Sequence, residues 1–170
     1  MGWIIYLGIG VALAFLLNVS LGVLLSTDFP VVTVESDSME PALYPGDIVF
    51  VRGVDSYDPG DIIIFDGWKR TPIIHRTVSA SRREDGVFEV LVWQDFDEIT
   101  EEELIEMHKD IESEEVYVTK GDNNPTCDQC QNTADLVELE DVHGRKLFRI
   151  PYLGWIKLFT TRLFSIFMFR

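Results

Sequence analysis

Hydrophobic and polar positions divide this chain into three stretches. From Met1 to Thr27 there is no Asp, Glu, Lys, Arg or His, and Trp3 to Leu25 is near-continuous apolar sequence broken only by glycines, Asn18 and Ser20. A helix rises about 1.5 Å per residue, so this stretch is long enough to cross a hydrocarbon core about 30 Å thick. Residues 1–27 are expected to form a transmembrane anchor, with Trp3 and Tyr6 where interfacial aromatics sit. A cleaved signal peptide would need a cationic start, a shorter apolar run and a small-x-small exit, none of which is clear here.

The opposite end is also apolar. Tyr152 to Arg170 is rich in aromatics and carries only basic charges. Lys157 and Arg162 leave no charge-free run long enough to span a bilayer, so residues 152–170 are expected to lie in the interface as a helix with snorkelling cations. Lys157, Thr161 and Ser165 share a helical face, but Leu158 and Phe164 fall near it, which leaves a short second span open.

Residues 28–151 read differently. Short β-branched and aromatic runs bounded by turn residues recur at Val31–Val34, Asp47–Val51, Asp61–Phe65, Ile73–Val78, Val87–Trp93 and Val116–Thr119, the pattern of a β-rich domain. Tyr44-Pro45-Gly46-Asp47-Ile48 and Asp58-Pro59-Gly60-Asp61-Ile62 each place a Pro-Gly turn before a strand. Several runs are apolar throughout and are expected to be buried on both faces. Glu98–Ser113 breaks the pattern with helix formers, apolar Leu104, Ile105 and Met107, and Thr100 and Glu103 at capping-box spacing. The expected fold is mainly β, with one acidic helical insert at about 97–115, an N-terminal transmembrane helix and a C-terminal interfacial helix.

Charge sharpens this division. The 170 residues include 14 Lys+Arg and 29 Asp+Glu, a net charge of -15, yet 46% are hydrophobic. Setting aside Lys157, Arg162 and Arg170 leaves 11 basic against all 29 acidic residues in the middle stretch, an acidic excess of 18. Such a domain lacks the cationic footprint that binding phosphates requires, which excludes nucleic acid as a partner. Its apolar content excludes a disordered acidic tail. Much of the excess falls in Asp95–Glu115, which fits either a salt-adapted surface or a face that avoids the membrane.

Candidate chemistry begins just past the anchor, at Ser36-Asp37-Ser38-Met39-Glu40-Pro41. A nucleophilic serine needs a base, donors for the oxyanion and a backbone that presents its hydroxyl. Taken alone, Ser and Asp after a strand are more often turn residues. The histidines are His75, His108 and His143. His75 lies in a strand pattern, where it can be held in one tautomer by a carboxylate or simply be satisfied by backbone. His108, in the acidic segment, is expected to be solvated or ion-paired, and His143, before Gly144, to sit in a turn. Carboxylates that could orient a base occur in Gly121-Asp122-Asn123-Asn124-Pro125-Thr126-Cys127-Asp128. Cys127-x-x-Cys130 has too few ligands for structural zinc and no thioredoxin-like context; outside the cell it could form a small disulfide that stiffens this loop.

The ordered boxes S-D-S-M-E-P, Y-P-G-D-I-V-F-V, G-D-I-I-I-F, I-I-H-R-T-V and T-K-G-D-N-N-x-x-x-D together resemble type I signal peptidase, in its archaeal and endoplasmic-reticulum branch. That branch has a His-Arg pair, here His75-Arg76, where bacterial enzymes have Lys-Arg. The resemblance runs from the anchor to Gly154. It implies a membrane-bound serine endopeptidase that cleaves signal peptides from secretory preproteins by acyl transfer, without metal or organic cofactor. Ser38 would be the nucleophile and His75 the general base. Asp122 and Asp128 match the two acidic positions; Asp122 is favoured as the orienting or essential acid with Asp128 in support, though spacing does not show which reaches His75. Ser36 and Met39 would support the oxyanion region. Asp37 departs from the Gly more common between the two serines. Implied partners are secretory preproteins, the lipid membrane and translocation machinery or other subunits, with the catalytic domain outside the cell membrane. The His-Arg box and single compact chain lean towards an archaeal source. A non-catalytic anchored peptide-binding or assembly subunit, and a dedicated peptidase for a few exported proteins, are the alternatives.

Overall fold

The charge-free stretch forms one helix, α1 (Gly2–Leu25), and none of its residues is buried. Its side chains are apolar all round, with a mean hydropathy of 2.3 over its best 18 residues, so it is long and apolar enough to cross a membrane. The computed structural model describes residues 2–67, 71–94, 96–130 and 134–155.

After α1 the chain is mostly antiparallel sheet, built from β1 (Val31–Thr33), β2 (Ile48–Arg52), β3 (Ile62–Phe65), β4 (Ile73–Glu84), β5 (Val87–Val92), β6 (Glu115–Lys120), β7 (Val137–Glu138) and β8 (Val142–Ile150). The single α-helix between β1 and β8, among the described residues, is α2 (Glu101–Lys109), and a short 3-10 turn spans Leu139–Asp141. The strand order is β1-β2-β8-β3-β4-β6-β7, with β5 joined to β4. β4 is the hub. Its first four residues pair with β3, and its later residues run between β5 and β6.

β3 shows why the sequence curls this sheet around an interior. All four of its side chains are buried, and because strand side chains alternate, Ile62 and Ile64 join Val34, Met39, Leu43, Val49 and Val51, while Ile63 and Phe65 join Tyr57, Ile73, Ala80 and Tyr117. Each such side chain contributes about 1.5–3 kcal/mol through burial. A third cluster, of Val78, Leu104, Val116, Val118, Cys127 and Leu136, seats α2 on the far half of β4 and β6.

The two Pro-Gly-Asp turns are built alike. Asp47 Oδ2 accepts the Tyr44 N–H at 3.0 Å, and Asp61 Oδ2 accepts the Asp58 N–H at 3.2 Å. The glycines take φ of +88° at Gly46 and +101° at Gly60, a conformation that a Cβ would strain. Each turn then grips one residue of a neighbouring segment by both backbone groups. Gly46 N–H donates to Val34 O and Val34 N–H to Asp47 O; Gly60 N–H donates to Thr77 O and Thr77 N–H to Asp61 O. Both aspartates are bound by arginines of one strand, Arg149 on Asp47 at 2.6 Å and Arg145 on Asp61 at 2.9 Å.

The fold is mainly β as expected, and the acidic helix is capped as its sequence indicates; Thr100 N–H donates to Glu103 Oε2 and Glu103 N–H to Thr100 Oγ1. Three expectations change. β4 runs on through the polar Ser79-Ala80-Ser81-Arg82-Arg83 because strands flank it on both sides, and the Ser79 and Ser81 hydroxyls are satisfied by Leu91 O and His108. His108 is fully buried rather than solvated; its Nε2–H donates to Ser113 O at 2.8 Å, leaving Nδ1 to accept from Ser81 Oγ. His143 belongs to β8 rather than a turn, with Nε2 3.1 Å from Asp66 Oδ1. The interfacial helix expected at 152–170 lies, beyond Trp155, outside the described residues.

Candidate active site

Ser38 follows Val34 by four residues and His75 precedes Thr77 by two, so the two gripped residues lie close behind the two expected reactants. The segment leaving Val34 bends through Ser36 and Asp37, returns through a cis Glu40–Pro41 bond and anchors on Met39 and Leu43, both in the core. Ser38 is thereby left at the surface of the body, partly buried. His75 projects from β4 with 3% of its surface exposed.

The Ser38 hydroxyl lies 3.2 Å from His75 Nε2, and His75 Nδ1 lies 2.6 Å from Asp128 Oδ2. A carboxylate can only accept, so Nδ1 carries the ring proton and Nε2 is left as the acceptor that faces serine. Asp128 is fixed in turn: its Oδ2 also accepts from Thr119 Oγ1 at 2.7 Å, and its N–H donates to Thr119 O at 2.8 Å. Gln129 extends the same attachment by accepting the Thr119 N–H.

Asp122 does not share this position. Its two oxygens take a forked contact from Arg76, at 2.8 Å from Nε and 2.5 Å from Nη2. The same guanidinium donates to Gly60 O at 2.9 Å and lies 4.6 Å over the Trp93 ring. The carboxylate that faces His75 is therefore Asp128, and the favoured Asp122 serves the neighbouring arginine. The reason is alternation along β4: His75 and Arg76 point to opposite faces, and the loop after β6 supplies a carboxylate to each.

Ser36 Oγ approaches Ser38 Oγ at 3.2 Å, on the exposed side of the site. Met39 is 1% exposed and packs into the core with Val34 and Leu43, and it also lines the cleft beside Ser38. Asn123 emerges as a contact that residue-type reasoning left without a role. Its N–H donates to Ser38 O at 2.8 Å and its Nδ2 to Asp37 O at 3.2 Å. Thr119 likewise carried no distinguishing signal in the sequence, being a threonine at a strand end.

A cleft of about 380 Å³ opens on Ser38 and His75. One wall is Val31 to Ser36, along the edge of the sheet where β1 has no outer neighbour among the described residues; the other is Thr71 to His75, at the start of β4 before its pairing with β6 begins at Arg76. Val31, Val32, Val34, Ile73 and Ile74 make it mainly apolar.

Cys127 and Cys130 are joined in a disulfide with a Cα–Cα distance of 5.2 Å, and Asp128 lies inside the four-residue loop it closes. One Glu98 oxygen lies within 4.8 Å of both sulfurs. With the sulfurs bonded to each other, this group offers a metal only a carboxylate, and Glu98 is already engaged by Lys120 and by the Cys127 N–H.

The chain has relatives among known proteins. Residues 17–87 match a family described as Peptidase S24-like. The signal peptidase complex catalytic subunit SEC11 of Komagataella phaffii is 32% identical over 153 residues, covering 87% of this chain and 76% of that protein. SEC11 of Debaryomyces hansenii is 28% identical over similar shares of both, and human SEC11C is 29% identical over 141 residues. The chain spans 59% of the human protein's length. By these relationships the chain belongs to the family of signal peptidase catalytic subunits.

Proposed function

We propose that this protein removes signal peptides from secretory preproteins, with Ser38 as nucleophile, His75 as general base and Asp128 as the acid that orients the base. The observation that carries this reading is the unbroken line from the Ser38 hydroxyl through both His75 nitrogens to a buried carboxylate. Ser38 Oγ attacks the scissile carbonyl carbon while its proton passes to Nε2. Asp128 stabilises the imidazolium that forms, and the proton then goes to the leaving amine. Water, activated by the same histidine, releases the acyl group from Ser38. The developing oxyanion is held by the Ser38 N–H and the Ser36 hydroxyl.

The cleft supports an extended substrate. Among the described residues, no strand pairs with the cleft side of Val31–Glu35, whose Val34 is held from behind by the first turn, or of Ile73–His75, which suits a peptide laid between them as an added strand. The apolar walls suit small side chains before the cleaved bond. Anchoring by α1 holds enzyme and substrate at one membrane, which raises their effective concentration. The catalytic body works on the extracytoplasmic side, where cleavage sites emerge, and other subunits or the translocation machinery assemble beside it, as the complex named for its relatives suggests.

The test uses membranes bearing the wild type, Ser38→Ala or His75→Ala, supplied with a preprotein. Loss of the cleaved product in both variants is expected. Undiminished cleavage in either one removes the mechanism and leaves the non-catalytic alternative.

A further inference from the structure

We infer that the Cys127–Cys130 disulfide is a thiol-exchange site that sets the catalytic rate, acting through the position of Asp128. The inference rests on the catalytic reading given above. The two residues enclosed by the disulfide both hold this loop to Thr119 of β6: Asp128 through its N–H and Oδ2, and Gln129 through its Oε1. Gln129 Nε2 also donates to Asp135 O at 3.1 Å, and Cys127 N–H is tied to Glu98 at 2.8 Å. The crosslink thus closes a short loop around the carboxylate that meets His75. Opening it returns conformational freedom to four residues, and a displacement of about 1 Å in such a group costs on the order of 10²-fold in rate.

The two sulfurs differ in access. Cys127 is 2% exposed within the cluster beneath α2, whereas Cys130 is only partly covered. A thiolate of an external dithiol attacks Cys130 Sγ, the sulfur–sulfur bond breaks, and its electron pair leaves on Cys127 Sγ, which takes up a proton. The second thiol of the reductant then attacks the mixed disulfide. Cys130 is released as a thiol and the reductant closes to a cyclic disulfide, completing a two-electron exchange. The nearby Glu98 carboxylate disfavours negative charge on the leaving sulfur and so slows the opening step. An external disulfide reverses the sequence.

The experiment treats the full chain in membranes with dithiothreitol, counts thiols by alkylation and mass spectrometry, and follows preprotein cleavage and thermal unfolding on the same samples. The expected result is a fall in kcat of about 10- to 10²-fold in step with the reduced fraction, KM within about twofold, and recovery with oxidised glutathione. The double variant Cys127→Ser/Cys130→Ser should cleave like the reduced wild type and ignore dithiol. In an Asp128→Asn background, followed in single turnovers, reduction should cause no further loss. Absence of new thiols in the folded protein, a reduced protein of undiminished kcat, unfolding at the assay temperature, or an equal fall in the Asp128→Asn background would each overturn the inference. Undiminished cleavage by Ser38→Ala would instead defeat the catalytic reading on which it stands.

Discussion

Asp128 and His75 are joined by a short hydrogen bond of 2.6 Å in which both partners are almost wholly buried. Removing the charge while keeping the shape should leave the ring free to adopt the wrong tautomer. Asp128→Asn is expected to lower kcat by about 10⁴-fold with little change in KM. Asp122→Asn should be milder in rate, because it loosens Arg76 and the turn carrying Asn123, and should cost about 1.5–3 kcal/mol in stability. Steady-state kinetics and urea unfolding of the two variants separate the roles; equal losses in both would show that the carboxylates act as one unit.

Ser36 stands 3.2 Å from the Ser38 hydroxyl. If it holds the oxyanion, Ser36→Ala should reduce kcat by roughly 10²-fold and leave KM and unfolding almost untouched. A loss confined to KM would assign it to substrate binding.

The Asp47–Arg149 pair gives a pH dependence with a definite sign. Burial alone would raise the Asp47 carboxyl, but the Tyr44 N–H, the Arg149 guanidinium and the Tyr152 N–H outweigh it and hold the group below the ordinary carboxylate value. A depressed folded value contributes stability above the unfolded pKa and loses it as pH falls through the folded one. Asp47→Asn should therefore cost about 2–3 kcal/mol at pH 7, and its difference from wild type should shrink below about pH 4. Unfolding curves across that range check it.

The carboxyls of Asp141 and Glu138 act in the opposite sense. Asp141 is pushed up by burial and then by Glu140 and Asp66, and Glu138 by burial and then by Glu140, Asp141 and Glu112. Raised folded values mean stability present at low pH and lost as these groups ionise. At neutral pH their repulsion opposes folding. Raising salt from about 0.1 M to 1 M shortens the screening length from about 10 Å to about 3 Å, so the melting temperature should climb. A melting temperature indifferent to salt would show that this repulsion is too weak to matter.

Much of this architecture was legible from residue pattern. Runs such as Ile62–Phe65 could only be strands covered on both faces, and Thr100 with Glu103 announced the start of α2. The short β7, all of β8 and the latter half of β4 escaped. The latter half of β4 carries Ser, Arg and Glu where a strand usually carries branched apolar residues, and only its two flanking partners make it a strand. β8 contains Gly144 and four cationic side chains, Arg145, Lys146, Arg149 and His143 if protonated, so it reads as a loop until its partners are known. The choice between Asp122 and Asp128 was likewise hidden. It depends on which face of β4 each loop residue meets, a relation between segments about 50 residues apart.

β8 joins β2 to β3, and its Arg145 and Arg149 hold both Pro-Gly-Asp turns, one behind the serine and one behind the histidine. Anyone transplanting this chemistry to another scaffold would therefore gain little from copying three side chains. The smallest portable unit is the pair of turns with the strand that fastens them, since that assembly sets the distance between the Ser38 hydroxyl and the His75 ring before any substrate arrives.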